Sequence, residues 1–252
     1  SAMPTTSKYS LSTFQTVTAA AYDNPTKSVT LTIGTTLVPS TTPLVVSMSG
    51  IRNYQGTPMV DPQTISLVGG IATIEFVQTP KSASNDTSQV VNQTVSMRGI
   101  VTETTGVDFP TAMGGFYMQQ RGSTQYGAVF VYGSPITPVR GDSVFVAGVV
   151  TEYGVGPETE ITPVREVTIL AAGRPAITPV AVSMADAAGT VPADGEKYES
   201  MLVKVANVIN LWQGGPGDPF DISTALSGTD TLRVDDYAIE EAGYTPWRGD
   251  NL

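Results

Sequence analysis

The sequence contains no cysteine and no histidine among its 252 residues. Without cysteine the chain can form neither a disulfide framework nor a thiolate metal site. Without histidine it cannot build Ser-His-Asp or Cys-His nucleophilic centres, His-ligated zinc sites or the His acid–base pairs of many phosphodiesterases. Only carboxylate, lysine or tyrosine chemistry remains, and we expect no catalytic centre in this chain.

Charged residues and long apolar runs are also scarce. Asp, Glu, Lys and Arg make up 14% of the chain, against about 25% in ordinary soluble domains, and Ser and Thr take over the polar surface. No stretch approaches the roughly 18 consecutive apolar residues of a membrane span. This composition is typical of extracellular β-proteins, so we expect a protein that is exported or held on the cell surface, without a membrane span.

Negative charge is concentrated toward the C-terminus. The formal net charge is −10, and residues 171–252 hold twelve of the 23 acidic side chains but five of the 13 basic ones. Because nucleic-acid affinity depends on Lys and Arg that neutralise phosphates, this balance argues against tight autonomous binding of DNA or RNA.

The first third of the chain alternates apolar and polar residues in short segments bounded by Gly or Pro, which is the pattern of half-buried strands. Gly69-Gly70 supplies the conformational freedom of a tight hairpin turn between two such segments. Short strands joined by turns favour a sandwich, so we predict an Ig-like β-sandwich over residues 1–78. The predicted strands here are 29–33, 44–48, 65–68 and 71–77.

A polar segment, residues 79–92, is predicted to be a linker. The five strands predicted after it form a module over residues 93–175. Gly99 and Gly148 interrupt the first and fourth of them, and such glycines mark the bends of a small barrel. We therefore expect a five-stranded Greek-key barrel of the OB type, followed over residues 176–252 by a second OB-like β-unit that ends before it closes. The barrel strands are expected at 95–103, 115–121, 128–132, 143–153 and 159–170, and the later ones at 201–211 and 231–237.

Several segments of the sequence resemble a known module. The segments 98–102, 115–119, 129–132, 141–153 and 159–161 resemble, in order, the OB-like module beside the catalytic domain of large extracellular bacterial nucleases of the endonuclease/exonuclease/phosphatase superfamily. Residues 198–203 are similar to that family's Tyr-Glu-Gly-Met-Leu-Val sequence, with Ser200 in place of Gly. Residues 49–56 resemble the late strands of bacterial Ig-like modules, which end in a Gly-containing turn, in a match that covers about residues 27–62. The alternative is a generic β-hairpin turn.

This resemblance, which covers about residues 93–236, implies an accessory module and a nuclease domain downstream in a parent protein. The catalytic domain of that superfamily uses a metal-bound Glu, Asp and Asn residues and two His. Since this chain has no His, the resemblance implies that it is a non-catalytic fragment, which positions nucleic acid or braces the catalytic domain.

Candidate nucleic-acid contacts lie on the second barrel strand. Alternation places Tyr117, Gln119 and Arg121 on one face and Phe116, Met118 and Gln120 on the other. OB-folds stack unpaired bases on aromatic and cationic surfaces, so single-stranded or duplex nucleic acid is the partner that this face would take, with weak affinity. The alternative is that the tyrosines are half-buried against neighbouring loops. The remaining candidates are Arg98, Tyr126, Tyr132 and Arg140.

Carboxylates within residues 235–241 form the main candidate metal site. Asp235, Asp236, Glu240 and Glu241 would offer Ca²⁺ its oxygen ligands, but the sequence has no Asp-x-Asp-x-Asp-Gly loop. A solvated acidic face is the alternative, and no cofactor is required. Asp218 with Asp221 forms a smaller cluster. Trp212 and Trp247, beside Gly/Pro-rich turns, are expected either to pack under loops or to bind sugars or bases.

The composition also fits a second class of function. A Thr/Ser-rich, acidic, cysteine-free chain with an Ig-like segment is typical of cell-surface or matrix proteins. Their β-modules act as spacers or as glycan-binding adhesins, and the sequence leaves this alternative open.

Overall fold

The computed structural model describes residues 5–13, 15–53, 55–104, 114–154, 158–188, 196–211, 220–225 and 231–234. In these ranges the chain forms seventeen strands and two five-residue α-helices, so the predicted all-β class is confirmed. Neither helix in the described ranges is long and apolar enough to cross a membrane. The chain divides into two compact units, residues 1–72 with 93–95 and residues 73–92 with 96–252.

The first unit contains two small antiparallel sheets in its described part. In one, β1, β4 and β5 are antiparallel neighbours in that order, and Leu67 of β5 also pairs in parallel with Thr94; in the other, β2 pairs with β3. Five strands are two fewer than a constant-type Ig domain has, so the Ig-like sandwich stays a prediction. The strands are β1 (Tyr9–Leu11), β2 (Val17–Asp23), β3 (Ser28–Ile33), β4 (Leu44–Met48) and β5 (Gln63–Leu67).

The predicted hairpin over residues 65–77 is wrong in its second half. After β5 the chain forms helix α1 (Ile74–Gln78), and the Thr73 hydroxyl accepts a hydrogen bond from the Phe76 amide at 3.0 Å. Ile74 and Val77, three residues apart, share one face of this helix and are fully buried. The residue composition favours a strand, but the spacing of these two residues and the Thr73 cap favour a helix.

The predicted linker over residues 79–92 is also wrong. Strands β6 (Pro80–Ser82) and β7 (Asn85–Ser88) pair there as an antiparallel hairpin, and residues 73–92 group with the barrel. Ser88 and Val90 are fully buried, and the Ser88 hydroxyl donates to the Val77 carbonyl at 2.5 Å. A polar segment whose side chains bond to the backbone in this way can pack like any other element.

The second unit is built on a closed five-stranded barrel, as predicted. The strands form a ring in the order β8-β11-β12-β10-β9, and β9 returns to β8. Neighbours are antiparallel where their registers are defined, except that β10 runs parallel to β12. The strands are β8 (Thr94–Thr104), β9 (Gly115–Gln119), β10 (Ala128–Tyr132), β11 (Ser143–Tyr153) and β12 (Glu158–Ala171).

The barrel interior is filled by apolar side chains that alternate along the strands. Among those fully buried are Met97, Phe116, Met118, Val129, Val146 and Ile161. Gly148 interrupts the register between β11 and β12. A Cβ at Gly148 would overlap Ile161 Cγ2 and lie 3.1 Å from the Pro163 carbonyl oxygen, so the bend predicted from this glycine also brings two backbones close together.

Short strands and a short helix follow the barrel. They are β13 (Val180–Val182), α2 (Met184–Ala188), β14 (Val203–Val205), β15 (Ile209–Asn210), β16 (Phe220–Ser223) and β17 (Leu232–Val234). Met184, Val208 and Ile222 form a small apolar cluster. The strand predicted over 201–211 is interrupted near Asn207, whose φ of 57° is left-handed. The second OB-like unit stays a prediction.

The first prediction concerns the Gly148 bend. Gly148→Ala is expected to lower the free energy of unfolding of the barrel by about 1–3 kcal/mol, because an added methyl group has no space. Urea unfolding measures this. Gly34→Ala is the control, since its Cβ would meet only Thr18 Cγ2 at 3.6 Å. Equal small effects of the two substitutions would contradict the packing argument.

Candidate functional site

Three aromatic rings form a row on the outer face of β9 and β10. Phe116 and Met118 point into the barrel and are buried, so Tyr117 between them points outward. The ring centroids of Tyr117 and Phe130 are 4.7 Å apart, and those of Phe130 and Tyr132 are 6.2 Å apart. This aromatic row brings two of the predicted contact residues, Tyr117 and Tyr132, onto one surface.

A cavity of about 440 Å³ opens beside Tyr117. Val101 and Thr102 of β8 line one side, Ile177 another, and Met201 and Leu202 a third. Its volume falls within the range of small-ligand pockets, and its walls are mainly apolar, as is usual for such pockets.

Arg140, another predicted contact residue, lies at this cavity together with Glu103. Its guanidinium donates to the Glu103 carboxylate in an ion pair. The Arg140 side chain is 63% exposed and that of Glu103 24%. The positive charge at the cavity is thus already neutralised, so Arg140 is poorly placed to attract a phosphate.

A segment over residues 196–202, here called the strap, crosses the barrel surface and supplies one wall of the cavity. Its backbone and side chains bond to separate parts of the second unit. The Tyr126 amide donates to the Lys197 carbonyl at 2.7 Å, the Leu202 amide to Gln119 Oε1 at 2.9 Å, and the Thr159 amide to Glu199 Oε1 at 2.9 Å.

Within the strap, Ser200 replaces the Gly of the resembling sequence pattern. Its φ is 58°, in the left-handed region that favours glycine. The Ser200 hydroxyl donates to Glu158 at 3.3 Å. The Gly of the Tyr-Glu-Gly-Met-Leu-Val sequence thus aligns with a residue whose backbone conformation favours Gly.

Gln119 was predicted to face a ligand, but the structure covers it. Its side chain is 1% exposed, and its Oε1 accepts the hydrogen bond from Leu202. Gln119 therefore anchors the strap and is closed to a ligand in this arrangement, although it lies on the strand that the prediction named.

The strap brings two carboxyl groups into contact with others on the barrel. Burial, first of all, raises the pKa of Glu196 to about 9, with added repulsion from Glu199, Glu152 and Asp86. Burial likewise raises the pKa of Glu199 to about 8, against hydrogen bonds from Gln78 and Thr159 that lower it. We call the five glutamates that come together here the acidic cluster: Glu152, Glu158, Glu160, Glu196 and Glu199.

The other members of the acidic cluster respond to the same environment. Burial raises the pKa values of Glu152, Glu158 and Glu160. Tyr117 is raised to a pKa of about 12, first by burial and then by Glu158 and Glu199, so its phenol stays neutral. The aromatic row therefore borders carboxyl groups and has little positive charge to offer a polyanion.

The remaining predicted contacts lie elsewhere. Arg121 and Tyr126 line a polar groove of about 390 Å³ on the loop after β9, and Arg121 donates to the Pro175 carbonyl. Arg98 is exposed on β8 and lines neither cavity. The seven predicted residues are thus spread over at least three places.

The predicted calcium ligands Asp235, Asp236, Glu240 and Glu241 lie outside the described residues, as do Asp218, Trp212 and Trp247. Within the described ranges, no three carboxylates are grouped so that they could hold a metal ion. Asp221, the second member of the smaller predicted pair, lies on β16 and is 3.9 Å from Arg233.

Sequence reasoning missed the carboxyl pair of the strap. Residues 198–203 were noted only for their resemblance to the nuclease-associated sequence. No pattern around Glu196 or Glu199 predicts that either side chain is buried. The sequence matches no protein-family model and no curated protein with which it was compared.

The second prediction follows from the raised carboxyl pKa values. Between the ordinary Glu pKa of about 4.3 and the raised values, the folded chain binds more protons than the unfolded chain, so stability falls as pH rises. We expect the urea midpoint of the second unit to decrease steadily from about pH 5 to about pH 9. Glu196→Gln should flatten this dependence, whereas Glu166→Gln, at an exposed position on β12, should not. A midpoint that increases across this window would contradict the assignment.

Proposed function

We propose that the chain is a non-catalytic accessory module of a secreted bacterial nuclease. The observation that supports it is the barrel, because the five pieces of sequence that resemble the nuclease-associated module fall on the five strands of one closed ring. A five-stranded Greek-key barrel of this kind is the OB type. The left-handed backbone at Ser200, where the pattern has Gly, adds independent support.

Of the two roles that an accessory module can have, the surface favours bracing over positioning nucleic acid. OB barrels bind oligonucleotides on the face of their second and third strands, which here are β9 and β10. That face borders the acidic cluster, and the strap covers Gln119 on it. The Arg140 charge beside this face is paired with Glu103 and so offers little attraction to phosphates.

The third prediction tests the accessory role in the parent protein. We expect the full reading frame to encode a His-containing nuclease domain downstream. Deletion of residues 73–252 from that protein should leave phosphodiester cleavage measurable while lowering the thermal midpoint of the nuclease domain by several degrees, because an intramolecular interface is lost. A parent without a nuclease domain, or cleavage by the purified chain itself, would contradict the proposal.

One observation favours a second candidate, a cell-surface or matrix β-module that binds glycans. The cavity beside Tyr117 has mainly apolar walls, and its lining also includes Thr102, Ser200 and a neutralised ion pair. Such a lining suits an uncharged sugar ring, which presents an apolar face and hydroxyl edges, better than a phosphate. OB barrels bind oligosaccharides as well as oligonucleotides.

The fourth prediction separates sugar from nucleic acid as the ligand of this cavity. If the second candidate holds, a glycan array gives hits that Ala176→Trp abolishes, because the indole fills the cavity at its exposed wall. Ala83→Trp, on the exposed β6–β7 turn, is the matched control. In the same experiment, single-stranded and duplex DNA should give dissociation constants no tighter than about 100 µM near physiological salt, the weak end of non-specific binding. Tight, salt-sensitive DNA binding would favour nucleic acid instead.

A further inference from the structure

Four of the hydrogen bonds of the strap join it to helix α1, to β9, to β12 and to the loop after β9. Three are the hydrogen bonds from Tyr126, Thr159 and Leu202 described above. The fourth is the Gln78 side-chain amide, which donates to Glu199 Oε1 at 3.1 Å and to the Ala128 carbonyl at 2.6 Å. Glu199 thereby joins the strap to helix α1 and to β12 at once.

The position of the strap also decides the shape of the cavity. Ser200, Met201 and Leu202 form one of its walls, and the Met201 sulfur lies 3.4 Å from the Gly127 amide nitrogen, within reach of a weak hydrogen bond. If the strap leaves the barrel, this wall is lost and the outer face of β9 becomes accessible.

Two buried acceptor atoms at this point have no partner in the described part of the chain. They are Oε2 of Glu196, whose side chain is 3% exposed, and Oε1 of Gln78, which is fully buried. An unpaired buried acceptor is costly, and a buried carboxylate more so. Hydrogen bonding to Glu199 is one of the causes that raise the pKa of Glu196, and two carboxyl groups can bond to each other only if one of them carries a proton.

The groups that face this pair are predominantly acidic. Asp86 approaches from β7, Glu152 from β11, and Glu158 from β12. Glu160 and the Tyr117 phenol lie next to Glu158. Lys81 on β6 acts on Glu152, and Lys197 lies in the strap itself. Loss of the shared proton would therefore add a negative charge among like charges.

We propose that the strap is a proton-dependent closure: residues 196–202 stay on the barrel while the Glu196–Glu199 pair keeps a proton, and loss of that proton adds a negative charge beside the barrel carboxyl groups, releases the strap and opens the cavity. Release itself requires no ligand. Only its consequence for binding rests on the proposed function, as regulation of the same site.

Amide hydrogen exchange followed by NMR tests the closure directly. The amides of Tyr126, Thr159 and Leu202 donate to the strap or belong to it, and their protection factors are to be compared at about pH 6 and about pH 9 after correction for base-catalysed exchange. We expect protection to fall at least about tenfold at the higher pH, as linkage to one proton requires. The Val101 amide, which donates to the Asp142 carbonyl within the barrel, should keep its protection.

Variants and cations make the result decisive. Glu196→Gln, which cannot lose a proton, should keep the strap protected at both pH values, and Glu199→Gln serves the same purpose if the first variant does not fold. Glu166→Gln should behave as the wild type. Equal protection of the strap at both pH values in the wild type overturns the proposal. So does loss of protection on adding EDTA at about pH 6 with recovery in Ca²⁺, because a cation would then hold the pair. Since exchange is measured without ligand, a negative glycan array leaves this outcome unaffected.

Discussion

Closure of the five-stranded ring is the constraint on which the rest of this structure depends. The pairing of β9 with β8 closes the ring and brings Tyr117 opposite Glu103, two residues that line the cavity. The parallel pairing of β10 with β12 brings Phe130 opposite Glu160. Closure in turn requires sharp bends, and at Gly148 two backbones approach too closely for a side chain. The aromatic row, the acidic cluster and the cavity all lie on the outside of this ring.

The strap adds a cost that the barrel alone would not have. Covering Glu196 and Glu199 removes carboxyl groups from water, and apolar residues of similar volume would generally hold a segment in place at less cost in free energy. An apolar side chain, however, holds equally well at every pH in the physiological range. A carboxyl pair makes the same attachment conditional on a proton, and the hydrogen bonds from Gln78 and Thr159 position it without neutralising it.

The sequence predicts the barrel well because its strands carry their own signal. In β8, β10 and β11 apolar and β-branched residues recur at a spacing set by the pleat, and the pattern needs no distant partner to be recognised. Helix α1 was missed because Ile74, Glu75 and Phe76 alternate as in a strand, whereas the spacing of Ile74 and Val77 and the Thr73 cap fit a helix. The hairpin over 80–88 was missed because the burial of Ser88 depends on the Val77 carbonyl, a contact that composition does not encode.

The same reasoning explains which parts of the site could be predicted. Tyr117 and Tyr132 point outward by alternation alone, so the sequence places them correctly. Gln119 obeys the same alternation, but Leu202, 83 residues later, covers it. Glu196 and Glu199 meet β11 and β12 across some forty residues of chain, and nothing in their immediate neighbourhood marks them as buried. A surface predicted from the alternation of one strand therefore includes residues that a ligand cannot reach. Here it also fails to predict that carboxyl groups border the face. The carboxyl groups border the aromatic rings on which a base would have to stack, so each of them that loses its proton adds repulsion against a polyanion there.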